Sequence, residues 1–123
     1  MEKVYEANRG WYNGDLKVPE VPPRAAIAAT SFHASSTSVD IRVYYAGPED
    51  RLLEKMWNGQ TWGDGGFNER SIPGTQVAVI NWGSGPQLTL RTYFQTGQYV
   101  SGVSEWAYAG GKWSTGRNAI PPA

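Results

Sequence analysis

An internal repeat of about fifty residues is the feature that most constrains how this chain can fold. Residues 52–67 reappear in outline at 103–118, and Ile-Arg-Val-Tyr at 41–44 corresponds to Leu-Arg-Thr-Tyr at 90–93. Four matching pairs lie 51 positions apart: Glu54 and Glu105, Trp57 and Tyr108, Trp62 and Trp113, and Gly65 and Gly116. A repeat of this length is typical of proteins in which similar supersecondary units stack and bury their apolar faces against one another.

A third, truncated copy of the repeat begins the chain. It keeps four residues that precede their counterparts by 51 or 52 positions, namely Glu2, Tyr5, Trp11 and Gly14. The apolar strand and the arginine-bearing strand of the other two copies have no counterpart in it. The sequence therefore predicts a partial unit at 1–18, complete units at 24–70 and 75–118, and a tail at 119–123.

Each complete repeat contains the signals of four short strands. In the first complete copy they are expected near 25–32, 38–46, 51–58 and 61–66, separated by Ser-rich, Gly-Pro and Asn-Gly turn signals. The segment 25–32 is small and apolar throughout, which predicts a strand buried on both faces. No segment sustains a helical period. We therefore predict an all-β fold, a β-propeller of four-stranded antiparallel blades with about two and a half blades per chain.

Composition removes several classes of function. The 11 basic and 11 acidic residues cancel, which argues against nucleic acid as a partner. The chain has no Cys and a single His, His33, which we expect to be an exposed loop residue. A thiolate metal site and a Cys nucleophile are thus excluded, and we expect neither a metal nor a cofactor.

Neither a membrane span nor a targeting signal is visible in the sequence. There is no run of 18 apolar residues, so we expect no membrane insertion. The N-terminus, Met-Glu-Lys-Val-Tyr, lacks the basic-then-apolar layout of a signal peptide. Localisation stays open between the cytoplasm and release, or display at the cell surface, by an unconventional route.

The parity of the repeat spacings predicts sites between blades. Glu54 and Trp57 are three positions apart on one strand and should project from opposite faces of their blade. If Arg42 shares the face of Glu54, each blade offers an arginine and a carboxylate to one neighbour. It then offers an aromatic pair, Trp57 with Trp62, to the other neighbour. A site with a guanidinium, a carboxylate and two rings forms only where two blades meet.

That set of groups suits a sugar. The apolar C–H face of a pyranose can lie on an indole ring, while Arg donates to its hydroxyls and Glu accepts from them. Each element alone has a structural alternative, since Arg and Glu on adjacent strands often form a cross-strand ion pair and Trp often packs between blades. Because Arg, Glu and the aromatics recur together, the repeat favours binding.

Two other classes of function remain as alternatives. One is a protein-interaction propeller without sugar specificity. The other is a glycosidase, which needs two carboxylates about 5–10 Å apart or a Tyr nucleophile with helpers. Each predicted site holds a single carboxylate, so we expect no enzyme activity.

These residues also carry a family resemblance. The order Ile-Arg-Val-Tyr, then Glu-x-x-Trp-x-Gly-x-x-Trp-x-x-Gly, preceded by an Ala-rich strand ending in Ser-Phe or Asn-Trp, resembles the fucose-binding lectins typified by the Aleuria aurantia lectin. The tail Asn-Ala-Ile-Pro-Pro-Ala, with the strands before it, is similar to the carboxyl-terminal blades of the Aspergillus fucose lectins. The resemblance implies a six-bladed propeller that binds L-fucose and fucosylated glycans between blades, without metal and without catalysis.

The resemblance also implies roles for particular residues. Arg42, Glu54 and the backbone at Gly66 are expected to face Tyr108 and Trp113 across an interface contained in this chain. A second site needs aromatic residues from another chain, and its residues are Arg91 and Glu105 with either Tyr5 and Trp11 or Trp57 and Trp62.

Two further tryptophans and three departures from the family pattern complete the prediction. Trp82, which ends an inner strand, is a candidate for lining the same cavity, whereas Trp106 is expected to pack between strands. Tyr108 replaces the commoner Trp, Arg117 takes the place of Gly66 in the second complete copy, and Glu2 has no arginine partner.

Two and a half blades cannot close a ring, and an open stack leaves exposed edges. We therefore expect a homo-oligomer that completes the propeller and presents several sites at once. A trimer is favoured, because relatives with two repeats per chain close in that way. The alternative is that the chain is a carboxyl-terminal fragment, or a reworked version, of a six-bladed lectin.

Overall fold

The computed structural model describes residues 1–18, 20–97 and 102–116, which form strands, turns and two short 3-10 turns. The N-terminal hairpin consists of β1 (Lys3–Glu6) and β2 (Gly10–Asn13). The first blade consists of β3 (Ile27–His33), β4 (Val39–Ala46), β5 (Arg51–Trp57) and β6 (Trp62–Arg70). The second blade consists of β7 (Ala78–Trp82), β8 (Thr89–Phe94), β9 (Ser104–Ala109) and β10 (Lys112–Thr115). The 3-10 turns are Pro48–Asp50 and Gly85–Gln87.

Each blade is a four-stranded antiparallel sheet whose strands lie side by side in chain order. The hairpin is a separate two-stranded sheet that corresponds to the two outer strands of a blade. The predicted fold class, an all-β chain of propeller blades, is confirmed. The three units are arranged so that the hairpin and the second blade lie on opposite faces of the first blade.

Strand β6 is longer than the strand predicted at 61–66, because a bulge interrupts it and pairing then resumes. Asp64 pairs with Lys55, whereas Asn68 pairs with Leu53, so four positions of β6 span two positions of β5. The predicted strand ended at Gly65 and Gly66, the two glycines in the bulge. They lie inside it instead, as glycines often do where a strand bends.

Strand β3 corrects one expectation from the sequence. It was expected to be buried on both faces, but its residues alternate between exposed and partly buried, and Ile27 is 66% exposed. The face with Ala28, Thr30 and Phe32 also carries Arg42 and is turned toward the second blade. The other face is turned toward the hairpin, whose two described strands leave Ile27 exposed.

The hydrophobic core lies between the blades. Its buried residues are Tyr44, Leu52, Phe67 and Phe94, and partly buried Val77, Val79, Trp106 and Trp113 pack against them. Phe67 of the first blade is at the centre, with its ring edge-on to those of Tyr44, Phe94, Trp106 and Trp113 at centroid distances of 4.7–6.1 Å. Since a single sheet cannot bury its own face, the two blades stabilise each other.

The described residues contain neither a membrane-spanning helix nor a metal-ligating cluster. No helix among them is long and apolar enough to cross a membrane. No group of three or more His, Asp or Glu side chains among them is placed to hold a metal ion.

We predict that Phe67→Ala lowers the free energy of unfolding by about 3–5 kcal/mol, because it removes a ring from the centre of the core and leaves a cavity between the blades. Urea unfolding followed by tryptophan fluorescence measures this loss. Ile27→Ala is the control, and we expect it to change stability by less than about 0.5 kcal/mol because Ile27 is exposed. A similar loss in both variants would contradict this account of the core.

Candidate functional site

Strands β4 and β5 of the first blade bring an arginine, a tyrosine and a glutamate to one face. Tyr44 pairs directly with Glu54 across the two strands, and Arg42 lies two positions from Tyr44 along β4. Residues that pair directly, or that are two apart on a strand, share a face of the sheet. Arg42 therefore lies on the same face as Glu54, as the spacing predicts, and that face is turned toward the second blade.

The opposite face of the same blade carries an aromatic pair. Trp57 and Trp62 pair across β5 and β6, and their ring centroids lie 5.6 Å apart. The same pairing recurs in the other two units, with 5.4 Å for Tyr5 and Trp11 and 5.5 Å for Tyr108 and Trp113. The sequence correctly predicted that Glu54 and the tryptophans project from opposite faces.

The carboxylate of Glu54 is buried and firmly held. The Tyr44 hydroxyl donates to Oε2 at 2.6 Å, and the Phe67 backbone N–H donates to Oε1 at 3.3 Å. Glu54 is only 4% exposed. Burial, followed by the charge of Glu54 and the hydrogen bond to it, raises the pKa of Tyr44 above its usual range. The phenol therefore stays protonated and remains a hydrogen-bond donor.

A glycine makes room for this carboxylate. A Cβ atom on Gly65 would overlap the side chain of Glu54, so only glycine fits at that position of the bulge. The same relation holds between Gly14 and Glu2 and between Gly116 and Glu105. Glycine at this position is therefore part of the site in every unit, a role that the sequence analysis did not assign.

Arg42 lies near an aromatic ring and apart from the Glu54 carboxylate. It forms no ion pair with Glu54 within 4 Å, and its guanidinium lies 5.6 Å from the centre of the Phe32 ring. Its Nε atom is buried without a hydrogen-bond partner. Buried donors are seldom left unpaired, because desolvation without a partner costs about 1–3 kcal/mol. The guanidinium of Arg42 therefore lies near an aromatic ring, and its Nε–H group remains able to donate a hydrogen bond.

Across the interface, the second blade contributes the predicted aromatic pair. The Trp113 ring lies 6.0 Å from that of Tyr44, and Tyr108 lies beside Trp113. The structure thus brings the arginine, the glutamate and the aromatic pair to one interface. Gly66 lies in the bulge beside Gly65, with open space where a side chain would project.

The second blade repeats the cluster on its other face. Arg91 Nε lies 3.8 Å from Glu105 Oε2, and the Tyr93 hydroxyl donates to the same oxygen at 2.9 Å. The guanidinium of Arg91 lies 5.2 Å from the centre of the Trp82 ring, so Trp82 does lie beside this cluster. Trp106 belongs instead to the core against Phe67. Arg117 and the tail at 119–123 lie outside the described residues.

The hairpin holds a third, incomplete cluster. Glu2 accepts a hydrogen bond from the Leu16 backbone N–H at 2.9 Å. A cavity of about 230 Å³ between the hairpin and the first blade is lined by Glu2 together with Trp57 and Trp62. These two tryptophans therefore face a glutamate of their own chain, and no arginine lines this cavity among the described residues.

One aromatic pair and one charged cluster lie on faces that no other described unit covers. Tyr5 and Trp11 are 59% and 72% exposed on the face of the hairpin that is turned away from the first blade. Arg91 and Glu105 lie on the face of the second blade that is turned away from the first. Of the two aromatic pairs expected to complete the Arg91 cluster from another chain, only Tyr5 and Trp11 are free in this arrangement.

Sequence reasoning missed three residues of the first cluster. Tyr44 and Gly65 hold and accommodate the carboxylate, and Phe32 lies beneath the arginine. A signal for the tyrosine was available, because Tyr follows Arg by two positions in both Ile-Arg-Val-Tyr and Leu-Arg-Thr-Tyr. A signal for the glycine was available too, because it recurs in all three copies.

Fold and site together define a class of protein, a β-propeller with polar and aromatic clusters between its blades. The family model described as fungal fucose-specific lectin matches residues 1–123. The chain belongs to this family. A fucose-specific lectin of Arthroderma benhamiae is 42% identical over 125 residues, which cover 100% of this chain and 34% of that protein.

Solved structures agree with the assignment. The SapL1 lectin in complex with alpha methyl fucoside superposes with a TM-score of 0.77 at 43% identity, over 94% of this chain and 38% of that one. The Aleuria aurantia lectin, a six-bladed β-propeller, superposes with a TM-score of 0.73 at 23% identity, over 93% of this chain and 42% of that one. The chain therefore spans well under half the length of these relatives.

We predict that Gly65→Ala destabilises the protein by about 1–3 kcal/mol, because the new methyl group must displace the buried Glu54 side chain. Gly66→Ala is the matched control, since its Cβ would meet open space. Thermal unfolding of both variants measures the difference. Equal stability of the two variants would show that the glycine is not required by the carboxylate.

Proposed function

We propose that this chain is a lectin that binds L-fucose and fucosylated glycans between its blades. The observation that carries the proposal is the recurring cluster of arginine, glutamate and tyrosine opposite an aromatic pair. Its members on the first interface are Arg42, Tyr44, Glu54, Tyr108 and Trp113. Family membership supports the choice of sugar, as does similarity to a lectin solved with alpha methyl fucoside.

The groups of the first interface complement a pyranose. The free lone pairs of the Glu54 carboxylate accept from hydroxyl groups, and the guanidinium of Arg42 donates to hydroxyl and ring oxygens. An acceptor on the sugar would satisfy the buried Nε of Arg42, which has no hydrogen-bond partner among the described residues. The indole of Trp113 offers a surface for the C–H face of the ring.

The expected strength of such a site follows from these contacts. Hydrogen bonds to charged groups contribute about 1.5–3 kcal/mol each. Two or three of them, together with aromatic contact area, reach the roughly 8 kcal/mol of a micromolar site. Several sites engaging one glycan-bearing surface would then give a much higher avidity.

The same geometry argues for binding without catalysis. The first cluster presents one carboxylate, and that carboxylate already accepts from a phenol and a backbone N–H. Glycoside hydrolysis requires an acid and a second carboxylate or an equivalent nucleophile placed across the scissile bond. We therefore propose that incubation with an aryl fucoside releases no free fucose.

We also propose that copies of this chain assemble with one another, with closure into a trimeric ring favoured. The units concerned are the partial blade at 1–18 and the complete blades at 24–70 and 75–118. The exposed pair Tyr5 and Trp11 has the same geometry as the two pairs that are covered within the chain. The open cluster of Arg91 and Glu105 has the same composition as the covered one. Stacking the hairpin of one copy on the second blade of another would cover both.

We predict that Arg42→Ala removes the sugar site within the chain and that Trp113→Ala weakens it. Loss of the arginine should cost about 1.5–3 kcal/mol, which is a tenfold or greater loss of affinity. Calorimetric titration with L-fucose measures both affinity and the number of sites per chain. His33→Ala is the control and should bind like the unmodified protein, because His33 lies at the exposed end of β3. Absence of heat with millimolar fucose for the unmodified protein would refute the proposed function.

We predict that the unmodified protein has a mass in solution that is a multiple of the chain mass, and that Trp11→Ala shifts it toward the monomer. Truncating a central aromatic residue of an interface typically costs about 2–4 kcal/mol of binding free energy. Sedimentation equilibrium over a range of concentrations measures the shift. A strictly monomeric protein at all concentrations would contradict assembly while leaving the site within the chain untouched.

A further inference from the structure

The hydrogen bond between tyrosine and glutamate occurs in both complete blades, in very different surroundings. Tyr44 is fully buried between the blades and donates to Glu54 Oε2 at 2.6 Å. Tyr93 lies on the open face of the second blade, yet it donates to Glu105 Oε2 at 2.9 Å. Because the bond forms on a face that no other described blade covers, strands within a single blade are sufficient to form it.

Strand pairing explains how each blade builds this contact. Tyr44 is the direct cross-strand neighbour of Glu54, and Tyr93 is the direct cross-strand neighbour of Glu105. Direct neighbours have Cβ atoms about 4.5–5.5 Å apart, so a long phenol can reach the end of a glutamate beside it. Both side chains also lie on the face that presents the arginine.

The hydrogen bond from the tyrosine restricts the orientation of the carboxylate and leaves some of its lone pairs free. An ionised carboxylate has two oxygens and about four lone-pair sites. In Glu54, the tyrosine occupies one site on Oε2 and the Phe67 N–H occupies one site on Oε1. The remaining lone pairs are thereby held in a defined direction, which lowers the entropy lost when a sugar hydroxyl binds.

We propose that Tyr44 and Tyr93 are positioning residues for sugar recognition, which orient the carboxylates of Glu54 and Glu105 so that their free lone pairs accept from the bound sugar. This inference rests on the proposed function, and it goes beyond it by assigning part of the affinity to residues that do not touch the ligand. The raised pKa values of Tyr44 and Tyr93, caused first by burial and then by the neighbouring glutamates, keep both phenols protonated as donors.

The hairpin provides a natural comparison. Glu2 occupies the same position in its unit and accepts from the Leu16 backbone N–H. The described hairpin has two strands, and none of the described hydrogen bonds to Glu2 comes from a tyrosine. Backbone support is thus seen for Glu54 and Glu2, whereas tyrosine support is seen for Glu54 and Glu105.

The test compares two phenol deletions on the same strand. Tyr44→Phe removes the donor to Glu54, whereas Tyr45→Phe removes a phenol that is also buried but lies on the opposite face. Calorimetric titration with L-fucose, well below the unfolding temperature of each variant, should show about a tenfold weaker affinity for Tyr44→Phe at the site within the chain. Tyr45→Phe should bind like the unmodified protein.

A double-mutant cycle separates positioning from a general effect on the fold. If Tyr44 acts through the Glu54 carboxylate, Tyr44→Phe should weaken fucose binding less in a Glu54→Gln background than in the unmodified protein. A general effect on the fold would weaken binding by the same factor in both backgrounds.

Each outcome has a defined meaning. Unchanged affinity in Tyr44→Phe, equal weakening in Tyr44→Phe and Tyr45→Phe, or equal weakening by Tyr44→Phe in both backgrounds of the cycle would overturn the inference. If Tyr44→Phe does not fold, Tyr93→Phe applies the same test to the Arg91 cluster in the assembled protein, where the phenol is not part of the core. If the unmodified protein binds no fucose, the proposed function fails instead.

Discussion

The structure depends on the face-to-face packing of one blade against the next. A four-stranded sheet exposes two faces, and neither can be buried within the sheet itself. In this chain, the aromatic rings around Phe67 bury one face of each complete blade, with contributions from both sides. The same contact brings the arginine and glutamate of one blade opposite the aromatic pair of the next. Stability and the candidate site therefore arise at the same interface.

The fold could be predicted from the sequence because the repeat is regular and strands have a period of two. Matching residues 51 positions apart defined the repeat unit, and the odd spacing between Glu54 and Trp57 placed these two side chains on opposite faces of the blade. Both inferences need only backbone geometry. They hold whatever the side chains contact in detail, which explains why the blades and the split between charged and aromatic faces were foreseen.

Other features could not be predicted because they depend on packing in three dimensions. The exposure of Ile27 depends on how much of β3 the neighbouring two-stranded hairpin covers, and the composition of β3 does not determine it. The Glu54 carboxylate accepts a hydrogen bond from Tyr44 and forms no ion pair with Arg42, and this difference depends on how close each side chain lies to the carboxylate. The bulge in β6 places Gly65 beside that carboxylate, where any side chain would overlap it. Composition and spacing contain none of these distances.

The number of complete interfaces depends on whether the blades form an open stack or a closed ring. In a linear array of blades, complete interfaces number one fewer than units, whereas in a closed ring the two numbers are equal. In the proposed assembly, the exposed Tyr5 and Trp11 of one copy and the Arg91 and Glu105 of the next would form the interface that makes this difference. Ring closure thus changes the valency of a repeat protein without any change in its sequence.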